Sequence, residues 1–324
     1  MKIVIIILLV LLAIFIFYYG GYYLINPDMR GEDIAAIHNI PHPAVIAHRG
    51  ASIVAPESTK PAYEIAREAN VDYFEADIQM TADEKLIVFH DKNLKRLTNV
   101  EEVFPDRIDK EIGELTLEEL RQLDYGSWFN ETNKKFANEN YQGLNILTLD
   151  DLIDIARSGD HTPGLILETK YPEKYDEIER RIINTLKDRN WFEEEGFQKT
   201  IFFSFSLNSL SKFKELAPDK PRLLLVTDNR ISRRSWDNWL SYSDEIVDGL
   251  GPKGFMAWPW HIAAAHEKEI FVFPYTVNNL WQVRALAHFQ ASGFITDRPE
   301  VVLRFFDKLP EMPDIDELLE TEDS

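Results

Sequence analysis

Apolar and polar positions along this 324-residue chain follow two different patterns. The first is a stretch without charge between Lys2 and Asp28, within which Ile3–Phe17 holds only Ile, Val, Leu, Ala and Phe. Such a run predicts a helix able to cross a bilayer core of ~30 Å. Tyr18, Tyr19, Tyr22 and Tyr23 then cluster where interfacial aromatics gather. No small-x-small cleavage site follows, so residues 1–27 read as an uncleaved single-pass anchor rather than a signal peptide. Lys2 precedes the run, and Arg30 follows it beside Asp28 and Glu32. That balance favours an inside N-terminus and a chain lying on the extracytoplasmic side of the membrane. Residues 28–43 read as a linker.

From residue 44 the pattern changes. Short apolar, β-branched runs at 44–48, 72–79, 86–90, 163–169, 199–204, 222–226, 246–250, 270–275 and 293–296 predict strands. Helical patterns lie between most of them, at 59–69, 116–123, 149–157, 173–190, 206–216, 232–240, 278–290 and 298–307. Alternating strand and helix predicts parallel sheet with βαβ crossovers. The strand runs exceed by one the number a (β/α)8 TIM barrel needs. Only 81–85 separates the second run from the third, too little for a crossover. Those two runs therefore form a hairpin, and eight parallel strands remain over a barrel spanning 44–309. A doubly wound open sheet is the alternative, but no Gly-rich phosphate loop follows the first strand. A turn centred on Asp83 and Glu84 sets Asp77 opposite His90, with Glu75 and Asp77 on one face. Residues 91–147 have little periodicity and read as an excursion above the barrel mouth. Residues 310–324, rich in acids, read as a disordered tail.

Charge narrows the function. Lys and Arg number 35 against 55 Asp and Glu, a formal charge of −20, which excludes non-specific nucleic-acid binding. The absence of cysteine excludes disulfides, thiolate metal sites, Fe–S clusters and thiol catalysis. An anionic substrate would need cations concentrated locally.

Predicted strand ends supply them. The first strand ends in His48-Arg49, the second holds Glu75 and Asp77, and its hairpin mate ends in His90-Asp91. The next parallel strand holds Glu168 and Lys170 on one face, and the last ends in Thr296-Asp297. In (β/α)8 enzymes these ends form the active face. Glu75, Asp77 and Glu168 offer three hard oxygen ligands, suited to one divalent cation, Mg²⁺ or Ca²⁺. His48 and His90 suit a general acid and base near neutral pH. Arg49 and Lys170 suit phosphate oxygens. Singly, each residue reads more readily as a surface or satisfied strand-end group; together on strand ends they read as phosphoryl-ester chemistry.

The runs AHRGASIVAPEST and FEADIQMTADEKLIVFHDKNLKRLT, followed by LILETK, FFSFS, YTVNN and GFITDRP, resemble the glycerophosphodiester phosphodiesterase family in motif and order from about 44 to 300. The resemblance implies a (β/α)8 barrel that hydrolyses glycerophosphodiesters to sn-glycerol 3-phosphate and an alcohol with a divalent cation. It implies His48 and His90 as the acid–base pair and Glu75, Asp77 and Glu168 as metal ligands. Arg49 and Lys170 would hold phosphate, with Glu57, Asp91, Tyr275 and Asn278 in support. It further implies attack on phosphorus by a substrate hydroxyl before water opens a cyclic phosphate. Three positions depart from the family pattern. Ser58 stands for Asn and is expected to cap the following helix. Glu84 stands for the turn Gly, and Tyr275 for a mouth Trp.

Residues 255–260, FMAWPW, read as a packed loop core or, if exposed, as an apolar rim suited to lysophospholipids. The competing functions are therefore lysophospholipase D and, from another class, a non-catalytic membrane-bound phospholipid-binding protein. A phosphoinositide-type lyase would stop at the cyclic phosphate.

Overall fold

The computed structural model describes residues 2–25, 30–227, 236–242 and 245–310. Eight parallel strands form the barrel: β1 (Ala44–His48), β2 (Tyr73–Met80), β5 (Gly164–Thr169), β6 (Thr200–Ser204), β7 (Arg222–Val226), β8 (Gly249–Pro252), β9 (Phe271–Val272) and β10 (Gly293–Thr296). They run β10-β1-β2-β5-β6-β7-β8-β9. The ring closes through Ser292 N to Val272 O at 3.0 Å, Ile295 N to Pro274 O at 3.1 Å and Val277 N to Ile295 O at 2.8 Å. β3 (Leu86–Val88) and β4 (Leu147–Thr148) lie off this ring, β3 pairing antiparallel with both β2 and β4.

Side-chain alternation divides the strands. Val45, Ala47, Phe74, Ala76, Leu165 and Leu167 pack outward under the helices. Ala44, Ile46, Tyr73, Ile166, Ile201, Leu223, Phe271 and Ile295 fill a second core. The helix α2 (Gly31–Ile37) adds Ile34 and Ala35 to this second core, and Ile40 follows. Continuing the inward positions along each strand leads from apolar residues to His48, Glu75, Asp77 and Glu168. The barrel interior is thus an apolar plug at the N-terminal ends of the strands, closed by α2, under a polar mouth.

The hairpin register differs by one from the sequence expectation. Ile78 pairs with Val88 and Met80 with Leu86. Asp77 therefore faces Phe89, whose N–H donates to the Asp77 carbonyl at 2.9 Å, and not His90. The turn is built on Thr81, whose Oγ accepts from Lys85 N at 2.9 Å, and Glu84 takes the left-handed conformation at φ 62°. That extra local closure moves the pairing centre, which side-chain alternation alone does not locate.

Residues 91–147 carry short helices and a small core of their own, with Leu94, Leu97, Val100, Ile112, Leu115 and Leu120 packed against Ile87 and Phe89. The helix Pro259–His266 adds to the expected elements, and Pro259 at its first turn is a helix-start signal. The strand expected at 246–250 lies at Gly249–Pro252, and the helix expected at 232–240 is described over Trp236–Leu240. The expected tail falls, beyond Pro310, outside the described residues.

The N-terminal expectation is corrected. The run forms helix α1 (Lys2–Ile25), but among the described residues no helix is long and apolar enough to cross a membrane. The purely apolar part, Ile3–Phe17, rises only about 22 Å at ~1.5 Å per residue, short of a ~30 Å hydrocarbon core. The anchor over 1–27 and the membrane location with an extracytoplasmic barrel therefore do not stand. The large apolar side chains from Ile3 to Phe17 are exposed. Near its end α1 packs on the helix Pro259–His266, where the Phe17 and Trp260 rings lie 5.2 Å apart.

Candidate active site

The loop after β1 is the tightest part of the site. Arg49 and Gly50 both have positive φ, 57° and 84°. A Cβ on Gly50 would meet the Ala62 carbonyl carbon at 2.6 Å, so glycine lets this loop lie on the helix α3 (Lys60–Glu68). Thr59, not Ser58, is the N-cap of α3. Ser58 instead sits at φ 60°, a conformation Asn tolerates better, which corrects the expected capping role.

Adjacent register on neighbouring strands gathers the carboxylates. His48 lies beside Glu75, and Asp77 beside Glu168. Glu75, Asp77 and Glu168 are buried, and ligand atoms of all three lie within 4.8 Å of one another. Arg49 Nε approaches Asp77 at 2.9 Å, while Lys170 Nζ lies 3.1 Å from Asp77 and 2.7 Å from Glu168. Glu75 Oε2 accepts the Arg49 backbone N–H at 3.0 Å, but Glu75 Oε1 is buried without a hydrogen-bond partner.

Burial, then repulsion from Asp77 and Glu168, pushes the Glu75 carboxyl well above its ordinary range. Burial acts the same way on Asp77, but Lys170 and Arg49 outweigh it and hold Asp77 well below. Glu168 is raised by burial despite Lys170. Three buried carboxylates against two cations leave negative charge and an orphaned oxygen aimed at one point. That donor set fits a hard divalent cation.

Two histidines flank the group. His48 Nδ1 donates to Asp297 Oδ1 at 2.5 Å, and its Nε2 is 4.0 Å from Glu75 Oε2. Asn278 Nδ2 donates to Asp297 Oδ2 at 2.6 Å, and Asp297 N–H donates to Asn278 Oδ1 at 2.9 Å. Burial opposes the charge on Asp297, but the His48 bond holds it below the usual carboxylate range. His90 Nδ1 donates to Asp91 Oδ1 at 2.6 Å. Both Nδ1–H bonds leave Nε2 free for the cavity. Although β3 ends at Val88, His90 still lines the cavity with His48, Arg49, Glu75, Glu168 and Lys170.

The space they enclose is about 100 Å³, with Phe203, Phe205, Leu225, Tyr275 and Ile295 on its apolar side. Tyr275 stands edge-on to Phe205 at 6.4 Å and donates its hydroxyl to Val226 O at 3.3 Å. Glu57 accepts from Arg49 Nη1 at 2.8 Å and so acts behind the cavity wall, as Asn278 does. Trp258 and Trp260 are not on this wall; they stack at 5.1 Å, with Trp260 against Phe17. Asp297 stands at a predicted strand end, but the sequence pattern assigns it no role. Its signal, an acid closing the last parallel strand, needed the ring closure that sets β10 beside β1.

A barrel with a buried carboxylate triad, two aspartate-held histidines and two partly buried cations at its mouth defines a phosphodiester-cleaving class of site. The chain belongs to the glycerophosphoryl diester phosphodiesterase family, whose model matches residues 48–301. It is 33% identical over 257 residues to a glycerophosphodiester phosphodiesterase of Bacillus subtilis, covering 79% of this chain and 84% of the relative. It is 30% identical to a glycerophosphodiester phosphodiesterase of Caldanaerobacter subterraneus, covering 82% and 98%. Among solved structures, an Oleispira antarctica phosphodiesterase in complex with the product sn-glycerol 3-phosphate matches with a TM-score of 0.64 and 26% identity, covering 82% and 97%. A Silicibacter pomeroyi structure matches with a TM-score of 0.70 at 23% identity, covering 85% and 98%, a likeness of fold.

Proposed function

We propose that this chain hydrolyses glycerophosphodiesters to sn-glycerol 3-phosphate and an alcohol, with His48 and His90 as the proton-transferring pair. One observation carries the assignment: both imidazoles are tied through Nδ1 to a carboxylate, which leaves Nε2 free, and both line one small cavity with Glu75 and Glu168, against which Asp77 completes the carboxylate group. The Oleispira relative bound to sn-glycerol 3-phosphate supports the product. A divalent cation, Mg²⁺ or Ca²⁺, held by the three carboxylates would neutralise phosphoryl charge there.

Arg49 and Lys170 hold phosphate oxygens in the same cavity and keep Asp77 ionised. One histidine takes the proton of the attacking hydroxyl at Nε2. The other gives a proton to the oxygen of the departing alcohol, and the two exchange roles as water then opens the resulting cyclic phosphate to glycerol 3-phosphate. Asp297 and Asp91 fix the tautomer and stabilise the imidazolium that forms.

The test is turnover of glycerophosphocholine and lysophosphatidylcholine by the purified chain with Mg²⁺, Ca²⁺ or EDTA. Cation-dependent release of glycerol 3-phosphate from the first substrate is expected. His48→Ala should abolish it, and Asp297→Asn should lower kcat by roughly 10²–10⁴-fold, the range of general acid–base catalysis. Lysophosphatidic acid from the second substrate alone would replace the proposal by lysophospholipase D, and a cyclic phosphate end product would make the enzyme a lyase. No turnover of either would leave a binding protein.

A further inference from the structure

Glu57 and Asp91 lie on different loops, after β1 and after β3, and each carries one working group. Glu57 holds Arg49, and Asp91 holds His90. Arg96 joins them. Its Nε donates to Asp91 Oδ2 at 2.7 Å and its Nη2 to Asp91 Oδ1 at 2.9 Å. Its Nη1 donates to Glu57 Oε2 at 2.9 Å and its Nη2 to Glu57 Oε1 at 3.0 Å. Both edges of the planar guanidinium are thus engaged bidentately, with four of its five N–H donors used, an arrangement open only to arginine.

The backbone that carries Arg96 is fixed independently. Leu94 and Leu97 on either side are buried in the small core of the 91–147 segment. Half of the Arg96 side chain is exposed, yet the carboxylates it joins are only 12% and 22% exposed. An isolated surface pair would be worth little. This one instead closes a continuous chain from His90 through Asp91, Arg96, Glu57 and Arg49 to the buried Asp77.

We infer that Arg96 is a positioning residue that locks the His90 imidazole and the Arg49 guanidinium into one fixed geometry across the mouth. The inference rests on the diester-hydrolase reading for its kinetic effect, but not for its structural one. Arg96 touches no cavity-lining group directly and acts through Asp91 and Glu57.

The experiment compares the full chain with Arg96→Ala, Arg96→Lys and Arg96→Gln. The kcat of Arg96→Ala is expected to fall about 10- to 100-fold, as for partners that orient a functional histidine, with KM raised through Arg49 and the melting transition kept. Arg96→Lys, which cannot make two forks, should recover little, whereas millimolar guanidinium should restore Arg96→Ala and leave the wild type unchanged. Combining Arg96→Ala with Asp91→Asn should cost less than the product of the single losses. Histidine-selective ¹⁵N spectra give a readout free of turnover: His90 should hold the Nδ1–H tautomer in the wild type and lose that preference in Arg96→Ala. A kcat within twofold of wild type, fully multiplicative losses, or an unchanged His90 tautomer would overturn the inference. Were the wild type to cleave no diester, the His90 spectra alone would decide it.

Discussion

Glu75 sits where folding and function pull in opposite directions, and Glu75→Gln separates them. Two unit charges at the 4.8 Å limit of the carboxylate group repel by roughly 3.5 kcal/mol at an effective dielectric near 20. Asp77 and Glu168 together therefore oppose ionised Glu75 by roughly 7 kcal/mol before compensation. Arg49 and Lys170 offset much of this, but both also serve Asp77, and Lys170 serves Glu168. The raised Glu75 carboxyl marks the balance as unfavourable to charge. With a raised folded value, stability is full below the unfolded carboxylate range and declines as pH rises through the folded one. Gln keeps the shape and an oxygen for the Arg49 N–H but carries no charge. In EDTA at pH 7 the variant should be more stable by about 1–3 kcal/mol, a rise in Tm of a few degrees for a domain this size. A divalent cation at about 100 times its Kd should stabilise the wild type by about 2.7 kcal/mol. The variant, with one ligand lost, should gain much less at the same concentration and should not turn over. Urea denaturation with and without the cation measures both effects. A variant less stable than wild type in EDTA, or one stabilised equally by the cation, would refute the picture of a carboxylate cluster held ready for a metal.

Two further outcomes follow from single side chains. His266 is fully buried, both ring nitrogens lack partners, and it faces His42 and Asp33; burial, then His42, holds it down at about 4. Because the folded value lies below the unfolded 6.5, its contribution is complete above pH 6.5 and is lost as pH falls toward 4. The loss is about 3 kcal/mol, and His266→Leu should flatten that part of a urea-midpoint profile. Glu84 occupies φ 62° and its pair with Arg181 is largely exposed. Glu84→Gly should therefore raise stability by about 1 kcal/mol in calorimetry, and a lowered Tm would show that the ion pair outweighs the backbone term.

The barrel was legible because its strands alternate with helices and because one connection, 81–85, is too short to cross over. The three carboxylates and both histidines were legible because strand ends are where such barrels work. The hairpin register was not, since a Thr81 side-chain bond and a left-handed Glu84 shift the pairing by one residue. The role of Asp297 escaped for a different reason: it acts on His48, 249 positions away, which only ring closure brings near. Arg96 lies five positions from Asp91 within the HDKNLKRLT run, but its link to Glu57, 39 positions away, depends on loop packing that spacing does not show. The N-terminal run carries no charge over its whole length, but its purely apolar part ends at Phe17, and the shorter length decides against a span.

Closure of the barrel floor by Ile34, Ala35 and Ile40 has a consequence for traffic. The interior beneath the carboxylates is solid, so the site is a blind well with one doorway. Whatever enters must leave the way it came. In a route through a cyclic phosphate, the departing alcohol and the water that completes hydrolysis would share a single path, the second waiting for the first to clear it. A ring-closed phosphate held at the bottom during that interval would be guarded from solvent by the alcohol itself.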